Sequence, residues 1–150
     1  MTEVTRREPG PTTPALTKRI VGVPELEDTT EYGYSQCVQA GSLLFVAGQC
    51  GLGPDHDIVS PEFEPQARAA LERVRHAVEA AGGELRDVVS MTVFITDIRM
   101  GRVFTSLRRE VFGRDFPASA LIGVSSLMVP GALVEVQATA VLGSGQSALS

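Results

Sequence analysis

From Pro65 onward the apolar residues Ala67, Ala70, Leu71, Val74, Ala77, Val78 and Ala81 recur at i, i+3, i+4 and i+7, while Arg68, Glu72, Arg73, Arg75 and Glu79 fall opposite. This spacing predicts an amphipathic helix with its charged side in solvent. Pro65 suits the first turn, where a missing amide loses no partner, and Gly82 with Gly83 supplies a left-handed stop. The stretch "DVVSMTVFITD" then changes period to two, with Val89, Met91, Val93 and Ile95 on one face and Ser90, Thr92, Phe94 and Thr96 on the other. That is a strand with both faces at least partly buried. A second, shorter helix is predicted around Met100, Val103, Phe104, Leu107 and Val111, ending at Gly113.

Strands are predicted on both sides of this central unit. "YSQCVQ" and "LLFVAGQ" around "AGS" read as a hairpin, "KRIVGV" as a first edge strand, and 118–124 and 133–142 as two final strands. The Gly-, Pro- and Asp-rich "CGLGPDHDIVSPE" is a loop with a small excursion at Ile58 and Val59. Residues 1–17 carry Pro9, Gly10, Pro11 and Pro14 and are expected to form a flexible arm, 18–143 a single domain, and 144–150 a tail. The order of strands, helix, strand, helix, strands gives an α+β fold with a mixed sheet of about six strands. Two right-handed crossovers stepping in one direction put both helices on one face of that sheet. The other face, apolar as well, is then expected to be covered by self-association.

Charge narrows the partners. The 150 residues carry a net charge of −5 and no basic stripe, which argues against nucleic acid as a ligand. No run approaches the ~20 apolar residues of a membrane span and no signal-peptide pattern opens the chain, so a cytoplasmic protein without membrane contact is expected. Two cysteines, Cys37 and Cys50, cannot make a disulfide framework, and neither has a second Cys or His at zinc-ligand spacing. Reduced thiols and no metal are the expectation.

Candidate chemistry is sparse. In "LVEVQATAV" the apolar residues Val134, Val136, Ala138 and Ala140 alternate with Glu135, Gln137 and Thr139. A carboxylate on a mid-sheet strand is either a usable general base in a cleft or a polar-face residue. His56, between Asp55 and Asp57, reads as a solvated loop residue, and His76 as the partner of Glu72 one helical turn earlier. Cys50 has no histidine near it in sequence to activate a thiolate and reads as a packed thiol. Arg108, Arg109 and Arg114 read as solvated, with Arg114 close in sequence to "FPASALIGV".

Taken in order and spacing over Tyr32 to Leu142, "YGYSQCVQAG", "LLFVAGQ", "ALERVRHAVEAAGGELRDVVSMTVFITD", "FPASALIGV" and "LVEVQATAV" resemble the YjgF/Rid family of reactive-intermediate deaminases. The resemblance implies a chorismate-mutase-like α+β fold, a homotrimer with small-molecule clefts at the subunit interfaces, and no cofactor. In the deaminase branch an arginine after "PA" grips a substrate carboxylate and a last-strand glutamate positions the attacking water. Carried over, the tyrosine falls on Tyr34, the glycine of "SGQ" on Gly48 and the glutamate on Glu135, while the serine of "SGQ" is Ala47. The arginine position is Ser119, the following small polar or thiol position is Leu121, and a second last-strand glutamate is Gln137.

This pattern implies a Rid-like hydrolase of a small imine or enamine, and not of a simple 2-imino acid, in a branch without the deaminase arginine. Ser119 cannot replace a bidentate guanidinium, so the ligand is expected to be neutral or differently anchored, unless Arg114 or a neighbouring subunit's arginine reaches in. The alternatives are a tailoring enzyme (cyclisation, isomerisation or C–N hydrolysis) for a less polar metabolite lined by Leu121 and Ala47, or a non-catalytic small-molecule-binding trimer. Ribonuclease activity, a name attached to parts of the family, is disfavoured by the acidic charge and the absence of a histidine pair.

Overall fold

A computed structural model describes residues 16–146. In chain order it contains β1 (Lys18–Ile20), β2 (Cys37–Ala40), β3 (Leu43–Cys50), α1 (Phe63–Ala80), β4 (Val88–Ile95), α2 (Gly101–Phe112), β5 (Ala118–Gly123) and β6 (Val134–Val141). Of the expected arm, 1–15 lie outside the described residues, as do 147–150 of the expected tail. The strands form one mixed sheet in the order β1-β2-β3-β6-β4-β5, antiparallel except for the β4–β5 pair, which α2 connects.

The long helix forms where its periodicity predicts. Pro65 sits in the first turn, and the end is a Schellman stop: Gly83 N–H donates to Val78 O and Gly82 N–H to Glu79 O, with Gly82 at φ +84°. Ala67, Ala70, Leu71, Val74, Ala77 and Val78 are buried against β3 and β6, and Phe104, Leu107 and Phe112 of α2 extend the same core. Burying side chains of the larger kind contributes about 1.5–3 kcal/mol each. His76 pairs with Glu72 at 3.3 Å as its helical spacing predicts.

Two predictions along this core are corrected. Arg73, expected on the solvent side of α1, is 4% exposed, because it lies three residues after Ala70 and four before Ala77 and so shares their edge of the buried stripe. Val89, expected inside, is 40% exposed while Val88 is buried. The β4–β6 register slips between Val88 and Ser90, and this extra residue turns Val89 outward before Met91, Val93 and Ile95 resume the inward face.

Much of the sheet face away from the helices has no cover among the described residues. Ile20, Leu43, Phe45 and Ile122 are each 40–55% exposed. Register aligns Phe45 with Val38 and Thr139, and Ile122 with Phe94, on that face. At the end of the described chain, Gly145 N–H donates to the buried Asp87 carboxylate at 2.7 Å. Among the described residues no helix is long and apolar enough to cross a membrane.

Candidate functional site

β6 alternates cleanly, with Val134 and Val136 fully buried toward the helices, so Glu135 projects onto the uncovered face between Cys50 of β3 and Phe94 of β4. Its neighbourhood is built by a bulge. From Val46 to Gln49 β3 advances three residues while β6 advances two, from Ala138 to Val136, so one extra residue is accommodated at Ala47 and Gly48. The bulge reverses the parity of the strand, sending Gln49 into the core and Cys50 to the face carrying Glu135. Cys50 Sγ donates to Glu135 Oε2 at 3.5 Å. A Cβ on residue 48 would lie 1.9 Å from Glu135 Oε1, so glycine leaves the space the carboxylate occupies.

Burial pushes the Cys50 thiol up to about 12, with the Glu135 charge and hydrogen bond adding to it and Arg73 opposing. Cys50 therefore stays protonated near neutrality and acts as a donor to Glu135, not as a nucleophile. Tyr34 is shifted the same way, by partial burial and then by the charges of Glu27 and Glu135, so its phenol also remains a donor. Both cysteines are free and buried. Modification by a water-soluble disulfide reagent at pH 8 is expected to be slow in the folded protein. Glu135→Gln, which removes the charge beside Cys50, is expected to quicken it; an unchanged rate would mean that the carboxylate does not control the thiol.

Behind the bulge lies a buried polar chain. Arg73 Nε donates to Gln49 Oε1 at 3.0 Å and its Nη2 pairs with Glu27; Gln49 Nε2 donates to Gln36 Oε1 at 2.7 Å and to Ala47 O at 3.1 Å. Burial raises the Glu27 carboxyl, but the Arg73 hydrogen bond and charge outweigh it and hold the group below its ordinary value. His56, at φ +65° in its loop, stands 3.5 Å from Glu27 Oε2. Glu27, Tyr34 and Gln36 line one wall of a cleft of about 440 Å³ closed by Ile20, Val21 and Leu26, and Glu135 lies outside it.

The remaining predicted residues lie elsewhere. Ala47 is in the bulge beside Gly48, its N–H on Gln36 O. Ser119 and Leu121 are in register with Met91 and Val93, the inward residues of β4, so both face the helix side of the edge strand β5, whereas Glu135 faces the other side. Gly48 is thus placed against Glu135, Tyr34 lies near enough to feel the Glu135 charge, and Ser119 with Leu121 are not joined to them among the described residues. Arg114 is directed to Asp115, 3.7 Å away. The guanidinium that does reach Ser119 is Arg108 of α2, whose Nη1 donates to Ser119 Oγ at 2.6 Å.

Cys50, Arg73, Glu27 and Arg108 are the neighbours that sequence reasoning did not assign to the site. For Arg73 a signal exists, its place on the edge of the apolar stripe. For Cys50 the parity change is invisible without the bulge. Arg108 meets Ser119 only through the crossing of α2 over β5, which no local spacing encodes.

Known proteins share this architecture and sequence. The profile of the family described as endoribonuclease L-PSP matches residues 26–142. A RutC family protein of Pyrococcus horikoshii is 36% identical over 108 residues, spanning 71% of this chain and 85% of that protein. A human protein named 2-iminobutanoate/2-iminopropanoate deaminase is 31% identical over 111 residues, spanning 73% and 80%. Among solved structures, a Mycobacterium tuberculosis member of the YjgF/YER057c/UK114 family superposes with a TM-score of 0.73 at 32% identity, covering 84% of this chain and 100% of that one. The matched span runs from the loop holding Glu27 through the last strand holding Glu135, and the chain belongs to the endoribonuclease L-PSP family, the group also called YjgF or Rid.

Proposed function

We propose that the protein is a Rid-type deaminase that hydrolyses a small imine or enamine, with Glu135 as the base that orders and deprotonates water. The observation that carries this is the Glu135 carboxylate: a mid-sheet acid on an uncovered face, with one oxygen held by the Cys50 thiol and the other over Gly48, which has no side chain. In this reading water adds to the C=N carbon as its proton passes to Glu135. The proton then moves to nitrogen, and the resulting carbinolamine collapses to a carbonyl and ammonia. Tyr34, kept protonated, donates a hydrogen bond to the substrate. The similar human protein is named for this reaction on 2-imino acids.

The separation of Glu135 from Ser119 and Leu121 onto opposite sheet faces supports a cleft completed by a further copy of the chain. The exposed Ile20, Leu43, Phe45 and Ile122 supply an apolar surface for that contact. A homotrimer is the assembly we assign, the number coming from the family resemblance. Residues 18–143 form its domain.

The test is release of ammonia and 2-oxobutanoate from 2-iminobutanoate generated in place by an amino acid dehydratase. Release faster than the spontaneous rate, in proportion to added protein, is expected, with the Arg108 guanidinium held on Ser119 standing in for the arginine the strand lacks. A rate indistinguishable from the spontaneous one would overturn hydrolysis of this substrate class and favour a binding role.

A further inference from the structure

The rung that aligns Cys50 with Glu135 is the last of the β3–β6 ladder, and only the Gln49–Val136 rung separates it from the bulge at Ala47 and Gly48. The end of a ladder is where strand pairing opens most easily. Beyond this rung the two strands part into the connections 51–62 and 124–133, and one side chain spans them. Gln66 of α1, fully buried, donates from Nε2 to Ser60 O at 2.8 Å and to Gly131 O at 3.0 Å, while its Oε1 accepts from Leu133 N–H at 2.8 Å. Leu133 O accepts from Thr96 N–H at 3.1 Å, so both backbone groups of the residue two before Glu135 are fixed. On the other strand Gly51, next to Cys50, lies so close to α1 that a Cβ there would fall 2.5 Å from Gln66 Cα.

We infer that Gln66 is a positioning residue for the hydrolysis, acting through the backbone of Gly131 and Leu133 to hold Glu135 in place beside Cys50. A primary amide is the side chain suited to the task. It offers two N–H donors for two carbonyls and an oxygen for one N–H, a set that neither a carboxylate nor an apolar side chain of the same length can supply. Its position on the helix is itself a sign of this use. Gln66 lies three residues after Phe63 and four before Ala70, both buried, so a polar side chain stands on the apolar stripe and is matched only by backbone groups of the two connections. Without it those carbonyls and that amide lose their partner in a buried setting.

This inference rests on the hydrolase reading and adds a residue that touches no reacting atom. The bulge is then braced from both sides: Arg73 and Gln36 hold Gln49 on one, and Gln66 holds the strand ends on the other. Proton transfer to Glu135 depends on where its carboxylate stands, and a displacement of about 1 Å costs on the order of 10²-fold in rate. Because Gln66 acts through the backbone and not on the substrate, its loss falls on kcat and leaves KM in place.

The experiment compares kcat and KM for 2-iminobutanoate in the full chain, in Gln66→Met and Gln66→Glu, and in Val78→Ala, a core change at the far end of α1 that controls for lost stability. Gln66→Met keeps the length without the hydrogen bonds and is expected to lower kcat by about 10- to 100-fold, with KM within about 2-fold of wild type. Gln66→Glu, its buried carboxyl driven toward the neutral form, retains an acceptor for Leu133 and one donor and should recover part of that loss. Val78→Ala should keep kcat. A second readout needs no turnover: modification by a water-soluble disulfide reagent, mapped to each cysteine, should quicken at Cys50 in Gln66→Met and stay slow at Cys37, which packs against Ala77. Unchanged kcat, or a Gln66→Glu no better than Gln66→Met, overturns the role, and equal quickening of both cysteines does so by making Gln66 a residue of global stability. Selective quickening of Cys50 in a protein whose wild type does not hydrolyse the imine would retain the hold on the Cys50–Glu135 rung and remove the hydrolase reading. Hydrolysis by wild type with neither kcat nor Cys50 moved in Gln66→Met would do the reverse.

Discussion

Glu135→Gln is expected to lower kcat for imine hydrolysis by about 10²- to 10⁴-fold, the usual contribution of a positioned general base, with the fold intact. The amide keeps the shape of the side chain, and its oxygen can still accept from the Cys50 thiol, so the group lost is the proton acceptor alone. Measuring kcat and KM separately checks the assignment. A fall confined to KM would make Glu135 a binding residue, and unchanged kcat would remove it from the chemistry. Gly48→Ala approaches the same group from the other side. Its Cβ would fall 1.9 Å from Oε1 and 2.8 Å from Cδ of Glu135, so the flexible carboxylate must swing away from its place. The same sign of effect is expected, with little change in thermal stability because the displaced atoms are those of a side chain tip and not of backbone.

The parts of this molecule legible in its sequence are those where one local period decides the structure. The stripe from Ala67 to Val78 and the Gly82–Gly83 stop define α1 without reference to anything distant, and the alternation around Glu135 places that carboxylate on the face opposite Val134 and Val136. Tyr34 and Gly48 enter through the resemblance alone, Glu135 through the alternation as well, and the bulge gives Gly48 a physical reason. What was not legible depends on an insertion of one residue or on a crossing of elements. The extra residue at Ala47–Gly48 turns Gln49 inward and Cys50 outward, and the one at Val89 reverses a single hydrophobic position. Neither leaves a mark in the hydrophobic pattern, because glycine, alanine and valine are acceptable on either face. Arg108 and Ser119 are eleven residues apart and meet through the packing of a helix on an edge strand.

Arg73→Met is expected to cost about 3 kcal/mol, near the low end for breaking a buried pair, and to lower Tm by roughly 6–12 °C for a chain of this size. Methionine fills much of the volume, so the loss comes from the partners left behind. Gln49, fully buried by the bulge, would keep its Gln36 and Ala47 contacts but lose the donor to its Oε1, and Glu27 would lose the guanidinium that holds its carboxyl down. Glu27 is a quarter exposed and can regain water, which keeps the cost from the upper end. The pH dependence carries a second signature. Because Glu27 titrates lower in the folded protein than its ordinary 4.5, its pairing contributes stability above that value and loses it as pH falls through the folded value. With Arg73 gone, burial is opposed only by the Glu27 backbone hydrogen bond and by His56, and this acid-side loss should shrink or change sign. Denaturant unfolding of both proteins between pH 3 and pH 7, a window of roughly this width around a carboxylate's range, would show the two stability curves converging toward acid. Curves that stay parallel would mean that the Arg73–Glu27 pair is energetically neutral and that packing alone accounts for the buried arginine.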